Sequence, residues 1–210
     1  MTRLLEGNGA LLVREIAVAR SVQAGLARLY QLEPEHAVEH FMRPAEAGDR
    51  EALLVSEAEG ALYMELRVPA LGPRAVDLAD GAALDPLCQI IEGVSHFVYM
   101  TERARSGRET TQLELELQAE VDKYVVIASA LGCVDVSTSE RVRERLFESV
   151  AFSHEGRTEQ GQRYRLANDV ANRFIRRVER EHLAHRRVRE LRAELRRFFD
   201  MGQAEKLRAA

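Results

Sequence analysis

Lysine is almost missing from this chain of 210 residues: Lys123 and Lys206 stand against 28 arginines. Cysteine is as scarce, with Cys88 and Cys133 far apart, so no disulfide framework can staple the fold; isolated cysteines suit reduced, partly buried thiols and a cytoplasmic setting. No apolar run approaches the roughly 18 residues a membrane-spanning helix needs, so no membrane association is expected. The opening MTRLLEGNGALLVREIAVAR has no uninterrupted apolar stretch and no small-residue cleavage site, and no signal peptide is expected. Glycine-rich phosphate loops, a G-x-S-x-G elbow, C-x-x-C pairs and a dinucleotide fingerprint are also missing. That argues against an ATPase, a redox enzyme or a common hydrolase, and no cofactor is expected.

What is present is ordinary for a folded chain, with 46% hydrophobic and 30% charged residues. The charges are unevenly placed. Residues 1–156 hold 15 Lys/Arg and 26 Asp/Glu, a net −11, and residues 157–210 hold 15 Lys/Arg and 8 Asp/Glu, a net +7. The expected organisation is an acidic helical body over 1–156 with a β-hairpin at 51–68, and a basic C-terminal region over 157–210 packed on it as one domain.

Periodicity predicts a mainly α multi-helix bundle of about six helices, one hairpin and a long basic C-terminal helix. Leu12, Ile16, Ala19, Val22, Leu26 and Leu29 recur at helical spacing, with Asn8 as the cap. A short helix follows Pro34 through Phe41, and residues 43–51 read as a loop. Runs 51–57 and 61–68 flank a turn at Glu59-Gly60; in the second, Leu62, Met64, Leu66 and Val68 alternate with Tyr63, Glu65 and Arg67. Two strands alone are marginal, so the hairpin must lie on helices or pair with a further strand. Asp85-Pro86 opens a helix with the apolar stripe Leu87, Ile90, Ile91, Val94, Phe97 and Val98. Thr111 and Glu114 form a capping box for the next helix, which Gly132 ends. The segment LELELQAE alternates like a strand, but it lacks β-branched residues and continues into a helical face. Ser139 to Phe152 is a further helix, and residues 153–161 are a loop. Residues 162–201 contain neither glycine nor proline, yet their apolar stripes do not join through His182 and His185. The expectation is one kinked helix or two helices meeting near Ala184–Arg187.

Two kinds of candidate site follow. Arg173, Arg177 and Arg180 form one ridge at helical spacing, and Arg189, Arg192 and Arg196 another. Like charges that close cost a few tenths of a kcal/mol per pair, so a compensating anion is expected. The body itself, a protein partner or second copy, or a nucleic acid could supply it. The near-absence of lysine and of exposed aromatics weighs against nucleic acid. The leading expectation is therefore a non-enzymatic interaction protein that binds a partner, or itself, through these six arginines.

The second kind is metal chemistry. HAVEH at 36–40 matches, over five residues, the H-x-x-E-H pattern of inverted zinc peptidases, in which His36 and His40 would share a metal and Glu39 would act as base. Glu116 or Glu120 could complete such a set. Separately, Glu92, His96 and Tyr99 share one helix face and Glu116 and Glu120 another, and an antiparallel pair could bring them together. Carboxylate-bridged di-iron bundles resemble this loosely, but their Glu-x-x-His occurs here only as Glu33–His36, across Pro34. These groupings make a small metalloenzyme the third reading.

Overall fold

The computed structural model describes residues 12–58, 61–72, 81–132, 135–150 and 155–210. Among these are seven α-helices and a three-stranded sheet. The helices are α1 (Val13–Tyr30), α2 (Gly81–Arg105), α3 (Gln112–Ala130), α4 (Val136–Arg143), α5 (Glu159–Val178), α6 (Val188–Asp200) and α7 (Gln203–Arg208). The strands are β1 (Met42–Pro44), β2 (Ala52–Ala58) and β3 (Ala61–Val68). The expected cap Asn8, the Glu59-Gly60 turn, Cys133 and His154 lie outside the described residues. No helix among the described residues is long and apolar enough to cross a membrane.

The hairpin gains the support it needs from both sides. β1 pairs in parallel with β3, Met42 opposite Leu66, which makes the order β1-β3-β2. The expected loop at 43–51 therefore begins as a strand, which three residues interrupted by Pro44 are too short to signal. Alternation turns Leu66 and Val68 inward and leaves Tyr63 exposed. The inward face rests on α2 at Gly93, where a Cβ atom would come within 2.6 Å of Leu66 Cδ1. A glycine there lets helix and sheet approach closely, just where the polar cluster described below begins.

Helix α2 already includes residues 81–85, so Pro86 lies inside it and does not open it. One missing N–H is tolerated there because Leu84, Ile90, Ile91, Val94, Phe97 and Val98 anchor the helix in the core. The capping box of α3 is present: Thr111 Oγ1 accepts from Glu114 N at 3.1 Å, and Glu114 Oε2 accepts from Thr111 N at 2.9 Å. Residues Ser106–Thr110 join α2 and α3 into an antiparallel pair. Thr158 caps α5, which begins three residues earlier than the sequence predicts. The helix expected over 139–152 is α4 followed by a π-turn at Glu144–Glu148.

The long basic C-terminal helix does not form. α5 widens into a π-turn at Glu179–Leu183 and stops; Arg186 adopts φ 55°, and α6 restarts at Val188. The carbonyl of His182 accepts from His185 N and Arg187 N and closes the break. α6 carries four arginines and three acids, so it is close to neutral. The segment docks through rings: Phe198 stacks on Phe174 and Phe199 on Tyr30, each with centroids 4.2 Å apart.

Candidate functional site

The α2–α3 pair places several charged side chains in its interior. On α2, Glu92 and His96 are one turn apart; on α3, Glu116, Glu120 and Lys123 share the facing stripe. Lys123 Nζ lies 3.2 Å from Glu92 Oε2 and 2.7 Å from Glu120 Oε1. One ligand atom each from Glu92, His96 and Glu116 falls within a mutual 4.8 Å. All three residues are buried, and His96 is 8% exposed. Its Nε2 is 3.9 Å from Glu116 Oε2, too far for a hydrogen bond, and is buried with no hydrogen-bond partner. Leaving such an atom dry costs about 1–3 kcal/mol.

Two further elements close around the cluster. Glu51, at the entry to β2, is held by its own N–H donating to Gln89 Oε1 at 3.0 Å. From the first turns of α5 come Arg163, whose Nε is 3.9 Å from Glu116 Oε1, and Tyr164. Glu51, His96, Glu116, Arg163 and Tyr164 line one cleft of about 210 Å³, through which the cluster meets the outside.

The electrostatics record an excess of carboxylate. Burial, with Glu92 and Glu116 close by, pushes Glu51 well above the usual range. Burial and Glu92 push Glu116 up to about 8. Burial also raises Glu120 against the pull of Lys123. Glu92 alone of the four is held low: burial opposes its charge, but the Lys123 ammonium beside it outweighs that. Burial depresses His96, with Glu92 opposing, so the imidazole is a neutral potential donor of a lone pair. Tyr164 is raised by burial and by Glu116 beside it. Four carboxylates, Glu51, Glu92, Glu116 and Glu120, face two cations, Lys123 and Arg163. Full ionisation leaves two negative charges, which protons or one divalent cation can offset.

The chain matches no known protein-family model, curated protein or solved structure. The chemistry of the site rests on its own geometry.

Of the metal candidates, Glu92, His96, Glu116 and Glu120 do come together. Tyr99, expected on the same face, turns away to Arg103 and the backbone oxygen of Met201. HAVEH does not build the peptidase arrangement. His36 precedes a short 3-10 turn at Val38–His40, so His36 and His40 are not stacked on one helical turn. His36 lies edge-on to Phe41, His40 is exposed, and Glu39 pairs with Arg20. The chain enters β1 at Met42, which leaves room for the 3-10 turn and not for the α-helix that the pattern requires.

The arginine ridges divide between inside and outside. Arg177 binds Glu194 at 2.7 Å, Glu181 at 3.2 Å and the Ala209 carbonyl at 3.2 Å. Arg196 Nε donates to the Leu29 carbonyl at 2.6 Å, and Arg180 pairs with Glu181. Arg177 and Arg196 thus hold the C-terminal helices to their neighbours. Arg173, Arg189 and Arg192 are exposed.

Sequence reading missed Glu51, Lys123, Arg163 and Tyr164, which reach the cluster from three separate stretches. The signal for Lys123 was its rarity, since both lysines of the chain end up in the interior. Lys206 is fully buried, its Nζ donating to Gln118 Oε1 at 2.7 Å and to the Phe198 carbonyl at 2.6 Å. Gln118 Nε2 and Ser95 Oγ in turn donate to Asp122, at 2.9 and 2.6 Å, and the Tyr30 hydroxyl also donates to it.

Proposed function

We propose that this protein is a divalent-metal protein whose centre is formed by Glu92 and His96 of α2 and Glu116 of α3. The observation that carries the reading is the buried, unpartnered Nε2 of His96, set among carboxylate oxygens that all lie within 4.8 Å. An imidazole and two carboxylates are an established kind of donor set, and its carboxylate-rich character favours Mn(II) or Fe(II) ahead of Zn(II). Lys123 occupies the other end of the cluster, where it neutralises Glu120 and one oxygen of Glu92. It thereby keeps the total charge at the level that one divalent ion balances.

Three protein ligands leave coordination positions open, as in catalytic centres and unlike closed structural ones. The cleft beside Glu116 gives a small molecule a way in, and Arg163 on its wall suits an anionic one. Lewis-acid activation of water or of a substrate oxygen is the chemistry such a centre supports, so the metalloenzyme reading is preferred to a purely non-enzymatic role.

The test is metal content. Protein purified without a metal-affinity tag and stripped with chelator is titrated calorimetrically with Mn(II), Fe(II) under anaerobic conditions, and Zn(II). About one equivalent is expected to bind. His96→Ala and Glu116→Gln are expected to weaken binding by at least tenfold, on the order seen for lost metal contacts. Glu120→Gln, whose partner is Lys123, is expected to leave it within a few-fold. A folded wild-type protein that takes up none of these ions defeats the proposal, as does equal loss in all three variants.

A further inference from the structure

A second feature lies away from the metal cluster. Two adjoining clefts, each of about 660 Å³, run where α6 crosses α1 and α3, and they share Val125, Ser129 and Arg192. Arg28 and Arg196 line the first, and Arg186 lines the second. Among the described residues, neither cleft is lined by a single aspartate or glutamate, although the chain has 34 of them. The floor is aliphatic: Val125 and Ala128 of α3 face Leu191 and Val188 of α6, and Val188 is 48% exposed.

Each part of this arrangement calls for an occupant. Arg192 is one helical turn from both Arg189 and Arg196, so like charges crowd one ridge with no carboxylate in the clefts to relieve them. An exposed valine beside half-buried leucine and alanine leaves apolar surface in water. The break between α5 and α6 carries Arg186 in a left-handed conformation that a non-glycine residue seldom adopts, at the edge of the second cleft. Anionic groups would have to be spread along the whole ligand, because the four arginines are distributed over both clefts. Between them the ligand must offer aliphatic side chains.

We infer that the paired clefts are a docking groove for an acidic amphipathic peptide segment of a partner protein, bound with its apolar face on α3 and α6 and its carboxylates on Arg28, Arg186 and Arg192. This is the helix-in-groove mode of recognition, in which apolar anchors supply affinity and rim charges select the partner. Nucleic acid fits less well, since the floor exposes aliphatic carbons where bases would want aromatic rings to stack on. A bilayer fits less well too, since the apolar atoms lie at the bottom of clefts and not on a protruding face.

The experiment uses the full chain and a fluorescein-labelled peptide about 18 residues long, with leucines on one helical face and glutamates on the other. Fluorescence anisotropy is read at near-physiological salt. Binding is expected for this peptide and at least tenfold weaker binding for its shuffled isomer, which has the same charge but no apolar face. Arg28→Glu with Arg192→Glu, both exposed positions, should weaken binding by tenfold or more while circular dichroism stays unchanged. Val188→Asp should do the same from the apolar side. The inference is overturned if the peptide does not bind, if the shuffled isomer binds as well, or if the variants bind like wild type. It is equally overturned if duplex DNA or phosphatidylglycerol vesicles bind in preference to the peptide. The clefts share no residue with the metal cluster, so failure here leaves the metal reading standing, and the reverse.

Discussion

Lys206 shows how much one residue can reveal about the interior. Its amine sits over the rings of Phe198 and Tyr99, at 4.1 and 5.0 Å from their centroids, with its two hydrogen-bond acceptors fixed. Burial depresses its pKa well below the ordinary value of 10.5, and the attraction of Asp122 recovers only part of this. The unfolded chain therefore holds this proton at a higher pH than the folded one. In the window between the folded and unfolded pKa values the unfolded state binds more protons, so stability rises as pH rises through it. Substituting methionine, Lys206→Met, removes that dependence. Urea midpoints of wild type and variant between pH 7 and 10 are expected to diverge in favour of the wild type as pH rises; a constant difference refutes the assignment. Nothing in the sequence announced this, because a lysine close to a chain terminus reads as solvent-exposed. Only its contrast with 28 arginines set it apart.

Helices were easier to read than their partners. The stripe of α2, the capping box of α3 and the break near Ala184–Arg187 are local patterns, and local patterns survive in sequence. The juxtaposition of Glu92 and His96 with Glu116 was legible for the same reason: turn-spaced residues on two helices joined by a short loop must meet if the helices are antiparallel. Glu51, Arg163 and Tyr164 were not legible, since the strand and helix that deliver them are placed by non-local packing. The choice of helix for LELELQAE depended on missing β-branched residues; in the structure its polar positions are used on both sides, Glu116 and Glu120 towards α2 and Gln118 towards Tyr30 of α1 and Lys206 of α7. Docking of α6 was least legible of all: Phe198 and Phe199 lie on or near its apolar stripe, but a stripe does not name the surface it meets. Phe198 is fully buried against Phe174. Phe198→Ala is expected to cost about 3–5 kcal/mol, read from urea unfolding. A loss under about 1 kcal/mol, within the range of ordinary surface changes, places α6 off the core.

Charge asymmetry between the two parts of the chain suggested that one clasps the other electrostatically, and the ion pairs follow no such rule. Arg176 of α5 does reach Glu148, and Arg163 approaches Glu116. Among the described ion pairs that join the two parts, the most buried runs the other way, with Arg143 of the acidic part on Glu179 of the basic part at 2.8 Å. Arg177 and Glu194 pair within the basic part. Apolar burial joins the pieces, and the ion pairs are fitted afterwards. Among the described residues the cluster carries a surplus of carboxylate, and this would link the proposed metal binding to stability. A ligand that binds only the folded state stabilises it by about 2.7 kcal/mol at a concentration 100 times its Kd. Wild-type protein is therefore expected to show a higher urea midpoint in Mn(II) than in chelator. Glu116→Gln keeps the side-chain shape and, above the Glu116 pKa of about 8, removes one of the crowded charges, so in chelator at pH 9 it is expected to be at least as stable as wild type, by up to about 2 kcal/mol. In Mn(II) that order reverses, because the variant has lost a ligand. A residue conserving only structure would be destabilised equally in both conditions, and that result removes Glu116 from the metal centre.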